Sequence, residues 1–108
     1  MRNVYVAADN IFSPLGSTTA ENFAQVCNGQ SGIRLHNDPA FAPGPFHAAM
    51  FAPGQLNMTA FTRFEQMLIR SVQQVLDQSR IDINDGRTAF IVSTTKGNIE
   101  LLEEQENP

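Results

Sequence analysis

The pattern of apolar and polar positions along the 108-residue chain predicts alternating strands and helices. Apolar residues that recur every three or four positions indicate helices, whereas short runs with apolar residues on both faces indicate buried strands. This alternation implies an α/β fold in which helices pack on a mixed or partly parallel sheet. The predicted elements, in order, are a strand over 3–8, a helix over 18–28, a short strand over 46–51, a helix that ends near 79–80, a strand over 88–94 and the start of a helix over 98–106.

The second predicted helix has the clearest periodicity. A broad apolar face runs from Phe61 to Leu76, and the opposite side is mostly polar. Thr62 and Glu65 stand at capping-box spacing, with Thr59 as a rival N-cap. We therefore predict an amphipathic helix whose apolar face belongs to the core.

The first predicted helix has a signal at each end. Thr18 and Glu21 repeat the capping-box spacing, so the threonine hydroxyl can accept a hydrogen bond from the glutamate N–H and the carboxylate can reach back. Phe23 and Val26 supply apolar positions at helical spacing. Gly29 follows them, and glycine suits the left-handed conformation that closes many helices.

The segment 34–57 is an irregular excursion rich in proline and glycine. It contains four of the six prolines in the chain, and proline interrupts both helices and central strands. One short strand fits within it, over 46–51, between Pro45 and Pro53. We expect the rest of this segment to lie over another surface.

Length and composition narrow the possible classes of protein. The length suits one domain, and 42% hydrophobic with 17% charged residues is typical of a globular chain. A net charge of −4 argues against nucleic-acid and anionic-membrane partners. The N-terminus lacks the apolar run of a signal peptide, and no segment reaches the roughly 18 apolar residues of a membrane helix. Cys27 is the single cysteine, so no internal disulfide can form, and we expect a cytoplasmic location.

Two motifs resemble those of the β-ketoacyl synthase family. The first predicted strand leads into Ser13-Pro14-Leu15-Gly16, which is similar to the SPLG turn of that family. The segment from Phe23 to Gly29, which continues through Ser31-Gly32-Ile33, resembles the family's first helix and its G-x-SGI exit. The second helix and the strand and turn over 90–97 fall where the family has its next helix and third strand. The resemblance therefore spans most of the chain.

The resemblance implies a thiolase-like fold, in which residues 1–108 form a single partial domain within an incomplete first half. It implies an acyltransferase that condenses acyl and malonyl thioesters with decarboxylation, in fatty-acid or polyketide-type synthesis, with acyl carrier protein as its partner. In that family a cysteine nucleophile and two histidines carry the reaction, and their positions lie beyond residue 108. We therefore expect no catalytic, cofactor-binding or metal-binding residue here, and no condensing activity from this chain alone.

Three side chains invite a catalytic interpretation. Cys27 lies near a helix C-terminus, where the helix dipole disfavours a thiolate, so we interpret it as a packing residue. His36 lies in a polar loop and His47 in the predicted short strand. No cysteine or carboxylate stands at a recognised metal-ligand spacing from either histidine. We predict surface or packing roles for both.

Two further positions lie where α/β proteins often bind ligands. Thr94-Thr95-Lys96-Gly97 follows a predicted buried strand and precedes a helix, a common ligand position in open sheets. Its residue order is not that of a Walker loop, and we favour a structural turn over a ligand contact. Asp9 ends the first predicted strand, but the acidic pair and the acceptor aspartate of a phospho-receiver domain do not accompany it.

Other interpretations fit the same residues. One is a non-catalytic thiolase-like partner subunit, another is a small α/β binding module, and a third is an unrelated α/β domain with similar turns. The segment 88–94 is predicted to be buried on both faces by surface that the rest of the fold would supply. We therefore expect a homo-oligomer, in which the isolated chain self-associates to cover apolar area.

Overall fold

A computed structural model describes residues 1–102 of the chain. Its elements are α1 over Thr19–Cys27, β1 over Ile33–His36, β2 over Phe46–Ala49 and α2 over Arg63–Gln78. A third helix, α3, covers 100–102, whereas the predicted helical residues 98 and 99 form a turn, and the predicted residues 103–106 lie outside the described residues. None of the described helices has the length and apolar character needed to cross a bilayer.

Both long helices begin at the predicted threonines. Thr18 caps α1, and its hydroxyl accepts a hydrogen bond from the Glu21 N–H at 3.2 Å. The Glu21 carboxylate accepts from the Ser17 N–H at 2.6 Å, one residue before the expected partner. Thr62 and Glu65 form the complete capping box of α2, with the Thr62 N–H donating to the carboxylate at 2.8 Å. Thr62, and not its rival Thr59, is therefore the N-cap of α2.

The helix ends also agree with the sequence pattern. Gly29 has a φ of 71° and its N–H donates to the Val26 carbonyl at 3.0 Å. The Gln30 N–H donates to the Gln25 carbonyl at 2.9 Å, which completes a Schellman motif. The helix α2 ends at Gln78, directly before its C-cap residue, as the pattern predicts.

The two strands form an antiparallel hairpin within the proline-rich part of the chain. Ile33 pairs with Ala49 and His36 pairs with Phe46 at the two ends of the register. The predicted short strand over 46–51 is confirmed by β2, whereas the sequence pattern does not predict β1. The hairpin is the one pair of described elements that contact each other, since neither α1 nor α2 packs on another helix or strand.

The prediction of strands over 3–8 and 88–94 is wrong, and the described residues contain no parallel sheet. A strand forms only where a neighbouring strand satisfies its backbone N–H and C=O groups, and neither segment has such a neighbour within residues 1–102. Both segments are exposed, with Val6 at 85% and Ile91 at 88% of their full accessibility. The described chain is therefore a small mixed α/β arrangement of three helices and one hairpin.

No apolar side chain in the described part of the chain is fully buried. The accessible surface is 9053 Å², whereas a folded monomer of 11.9 kDa exposes roughly 6,000 Å². The radius of gyration is 17.3 Å, against about 13 Å for a compact domain of this length. The two buried residues within 1–102 are polar, Asn22 and Gln66, each 7% exposed. Local turns and caps therefore organise this chain more than a hydrophobic core does.

Candidate functional site

The Ser13–Gly16 turn is closed by its own backbone. The Ser13 N–H donates to the Gly16 carbonyl at 3.0 Å, and the Gly16 N–H donates to the Ser13 carbonyl at 3.1 Å. The Ser13 hydroxyl also accepts from the Leu15 N–H at 3.1 Å. A methyl group at Gly16 would lie 2.7 Å from Glu21 Cβ, so the turn has no room for a side chain there.

Asn22 holds this turn against the first turn of α1. The two N–H groups of its Nδ2 face three carbonyls, those of Ile11 at 3.0 Å, Gly16 at 3.1 Å and Thr18 at 2.8 Å, so that one N–H is shared between two of them. Its Oδ1 accepts from the Ser13 hydroxyl. Because the amide is buried, these bonds replace the water that the loop carbonyls would otherwise bind. The turn therefore depends on one side chain of the following helix.

The two motifs that resemble the β-ketoacyl synthase family lie together in space. A methyl group at Gly32 would lie 3.6 Å from Leu15 Cγ and 3.9 Å from Ala49 Cβ. The Ser31 hydroxyl accepts from the Ile33 N–H at 3.1 Å and shapes the entry into β1. The leucine of the first motif therefore packs at the glycine of the second.

Gln66 of α2 repeats the role of Asn22. Its Oε1 accepts from the Met58 N–H at 3.0 Å, and its Nε2 donates to the Phe61 carbonyl at 3.0 Å. Both amides stand four residues after a capping threonine and directly after the capping-box glutamate. The pattern T-x-x-E followed by Asn or Gln therefore marks the two buried polar side chains, and the prediction from sequence overlooked it.

The structure does not bring Cys27, His36 and His47 together. Cys27 is exposed in the last residue of α1. His36 and His47 occupy alternate positions of the hairpin register and so point to opposite faces. The His36 ring stacks on Phe46 with centroids 5.5 Å apart, and its Nε2 lies 3.1 Å from the Ala48 carbonyl. The described residues contain no cluster of metal-ligating side chains.

The remaining two candidates make bonds within local structure. The Thr94 hydroxyl accepts from the N–H groups of Lys96 at 3.4 Å and Gly97 at 3.0 Å, so it caps its own turn. Asp9 accepts a hydrogen bond from the Thr19 hydroxyl at 2.6 Å, which ties the N-terminal segment to the start of α1. Both arrangements are those of structural residues.

A mostly apolar groove runs along α2 and is named here the α2 groove. It consists of two cavities of about 370 and 520 Å³ that share Val72, Leu76 and Phe90 as lining residues. Glu65 is the one charged residue among the described residues that line it. The other apolar lining residues are Phe61, Leu68, Ile69, Val75, Ile81, Ile83 and Ala89. The groove suits an apolar partner surface, and it offers no set of groups for catalysis.

Comparisons with protein-family models, with curated proteins and with solved structures give no match for this chain.

Proposed function

We propose that the chain is the N-terminal portion of a β-ketoacyl synthase-like acyltransferase with a thiolase-like fold. The complete protein would condense acyl and malonyl thioesters on acyl carrier protein, with loss of carbon dioxide. Residues 1–108 would then form a single partial domain that supports the reaction centre and supplies no reacting group.

The observation that carries this proposal is the contact between the two motifs. Leu15 packs at Gly32, although the two residues are far apart in sequence and separated by a helix. The motif residues serve turns and caps: Gly16 has no room for a side chain, Gly29 is left-handed, and Ser31 bonds the backbone of Ile33. If the chain has the same fold as the family, the same turns and caps would need these residues in this order.

The exposure of the apolar residues also supports a role within a larger fold. Val4, Tyr5 and Val6 are at least 80% exposed, and Ile91 is 88% exposed. Globular domains rarely leave contiguous apolar area of this kind without a partner surface. In the proposed protein, further elements of the thiolase-like fold would cover these segments.

The test begins with the natural reading frame that encodes this chain. The proposal expects it to continue into a helix that starts with a cysteine, followed later by two histidines. The whole protein should then condense acyl- and malonyl-carrier-protein substrates, and the 108-residue chain should not. Product formation by the 108-residue chain would contradict the placement of the catalytic residues downstream.

A matched pair of cysteine variants sharpens this test. In the whole protein, changing the downstream cysteine to serine should abolish condensation, whereas Cys27→Ser should leave it unchanged because Cys27 is exposed at the end of α1. A frame that lacks the downstream cysteine would instead support the non-catalytic partner subunit. A frame that ends at Pro108 would support the small binding module.

A further inference from the structure

A cavity of about 510 Å³ lies between one face of the hairpin and the Ser13–Gly16 turn. Arg34 and His36 stand on the same face of β1, because side chains alternate along a strand. Both line the cavity, together with Asp38 just beyond the strand. The apolar walls are formed by Pro14, Leu15, Met50, Phe51, Ala52 and Pro53. The volume lies within the range of about 300–1,000 Å³ that is typical of small-molecule sites.

Contacts outside the cavity hold its walls in place. The His36 ring stacks on Phe46, with centroids 5.5 Å apart. The Phe51 ring packs on Phe12, with centroids 4.9 Å apart. The turn over 52–55 is closed by hydrogen bonds in both directions between its first and last residues. The cavity is therefore largely preformed, as sites for small ligands usually are.

Arg34 gives this cavity a positive charge that no ion pair neutralises. Asp85 and Arg87 form the one ion pair among residues 1–102, so Arg34 has no such partner in that part of the chain. The Asp38 carboxylate serves its own loop, where its Oδ1 accepts from the Ala40 N–H at 2.9 Å. A guanidinium can bind a carboxylate through two parallel hydrogen bonds. Arg34 is therefore available to a carboxylate that comes from outside the described chain.

We propose that this cavity binds a small aromatic carboxylate, with its charge on Arg34 and its ring against Leu15 and Phe51. The ring face of Phe51 offers a surface on which another ring can stack. Because Asp38 lines the same cavity, a single negative charge fits better than the nearly double charge of a phosphate monoester. The inference extends beyond the acyl-transfer proposal. Its failure would leave that proposal standing, since activity of the whole protein tests that one separately.

Titration of the purified chain with naphthoate, followed by nuclear magnetic resonance, tests the site. The amides of residues 34–38 and 50–55 should shift together with one dissociation constant. Arg34→Gln should weaken binding by about tenfold or more, because loss of a charge-assisted hydrogen bond costs at least that much. Arg34→Lys keeps the charge without the paired geometry and should bind with intermediate affinity. Arg80→Gln is the matched control, since Arg80 is exposed and does not line the cavity.

Two analogues of the probe test the charge independently of any variant. Naphthylmethanol keeps the ring without the charge, and naphthyl phosphate adds a second charge, so both should bind more weakly than naphthoate. Equal or tighter binding of either analogue would overturn the proposal. So would equal binding by Arg34→Gln and Arg80→Gln, or shifts confined to the α2 groove. If the hairpin amides show that Arg34→Gln has unfolded, Arg34→Lys and the two analogues decide the question.

Discussion

Asn10 Nδ2 donates a hydrogen bond of 3.1 Å to the Ser71 hydroxyl and so joins the N-terminal loop to the middle of α2 across 61 positions. The same Nδ2 donates to the Ser17 carbonyl at 3.1 Å. This link connects the Ser13–Gly16 turn with the helix that carries the α2 groove. Hydrogen bonds of a polar side chain therefore connect the N-terminal loop to α2, a connection that apolar packing makes in most domains.

Replacing Asn22 should loosen the start of α1. Asn22→Leu removes the side-chain donor of three loop carbonyls. The carbonyls of Gly16 and Thr18 keep their backbone donors, but the Ile11 carbonyl loses its side-chain donor, and an unsatisfied buried group costs about 1–3 kcal/mol. Hydrogen exchange of the α1 amides should therefore accelerate by at least about tenfold. Gln25→Leu on the exposed side of the same helix is the control, and equal acceleration there would contradict the role given to Asn22.

Gly16→Ala should disrupt the turn by steric overlap. The added methyl group would lie 2.7 Å from Glu21 Cβ, and overpacking of this kind costs about 1–3 kcal/mol. Exchange of the Ser13 and Gly16 amides, which bond across the turn, reports the change. Gly44→Ala meets no atom within 4 Å and should leave those amides as they are. Similar exchange in the two variants would show that the turn tolerates the methyl group.

Thr62→Ala should shorten α2 from its N-terminal end. The hydroxyl of Thr62 accepts from the Glu65 N–H at 3.2 Å, and loss of such a cap costs about 0.5–2 kcal/mol. Circular dichroism should show less helix, and nuclear magnetic resonance should place the loss in the first turn. Thr59→Ala tests the rival cap and should have no effect, since Thr59 is exposed and precedes the helix. A larger loss of helix in Thr59→Ala than in Thr62→Ala would instead place the N-cap of α2 at Thr59.

The ion pair of Asp85 and Arg87 should give a small pH dependence. A hydrogen bond from the Arg87 side chain, helped by one from its backbone, holds the pKa of Asp85 below its ordinary value of 3.8. A lowered pKa in the folded state means that the stabilisation is present above that ordinary value and is lost as pH falls through the lower one. Arg87→Gln should raise the pKa of Asp85 only in part, because the 2.9 Å backbone bond remains.

A carboxylate titration by nuclear magnetic resonance checks this shift. Added salt should weaken it in the original chain, since the pair is exposed and screened. Arg80→Gln, outside the pair, is the control. An Asp85 titration that does not respond to Arg87→Gln would contradict the assignment of its cause.

Local signals in the sequence predicted the helices well. The caps at Thr18 and Thr62 and the closing Gly29 act through neighbours in sequence, so a few residues determine them. The helices therefore begin and end within a residue or two of the predictions.

Strands depend on partners that local pattern does not reveal. The apolar run over 88–94 has strand-like composition but no neighbour within the described residues. The four residues of β1, Ile33–His36, are too short for alternation to stand out, and their partner follows a long loop. The burial of Asn22 and Gln66 was not predicted because it depends on how the loop before each helix folds back over the amide. Their shared position, four residues after a threonine cap, is nevertheless visible in the sequence.

The lack of a fully buried apolar side chain among residues 1–102 determines how this chain should respond to heat. Unfolding of an ordinary domain raises the heat capacity by about 12–15 cal/mol/K per residue, because apolar groups become hydrated. In residues 1–102 no apolar side chain is fully buried and many are exposed, so a single copy should absorb less heat and melt more gradually than such a domain. A sharp calorimetric transition would instead indicate an assembly of several copies, and its midpoint would then rise with protein concentration.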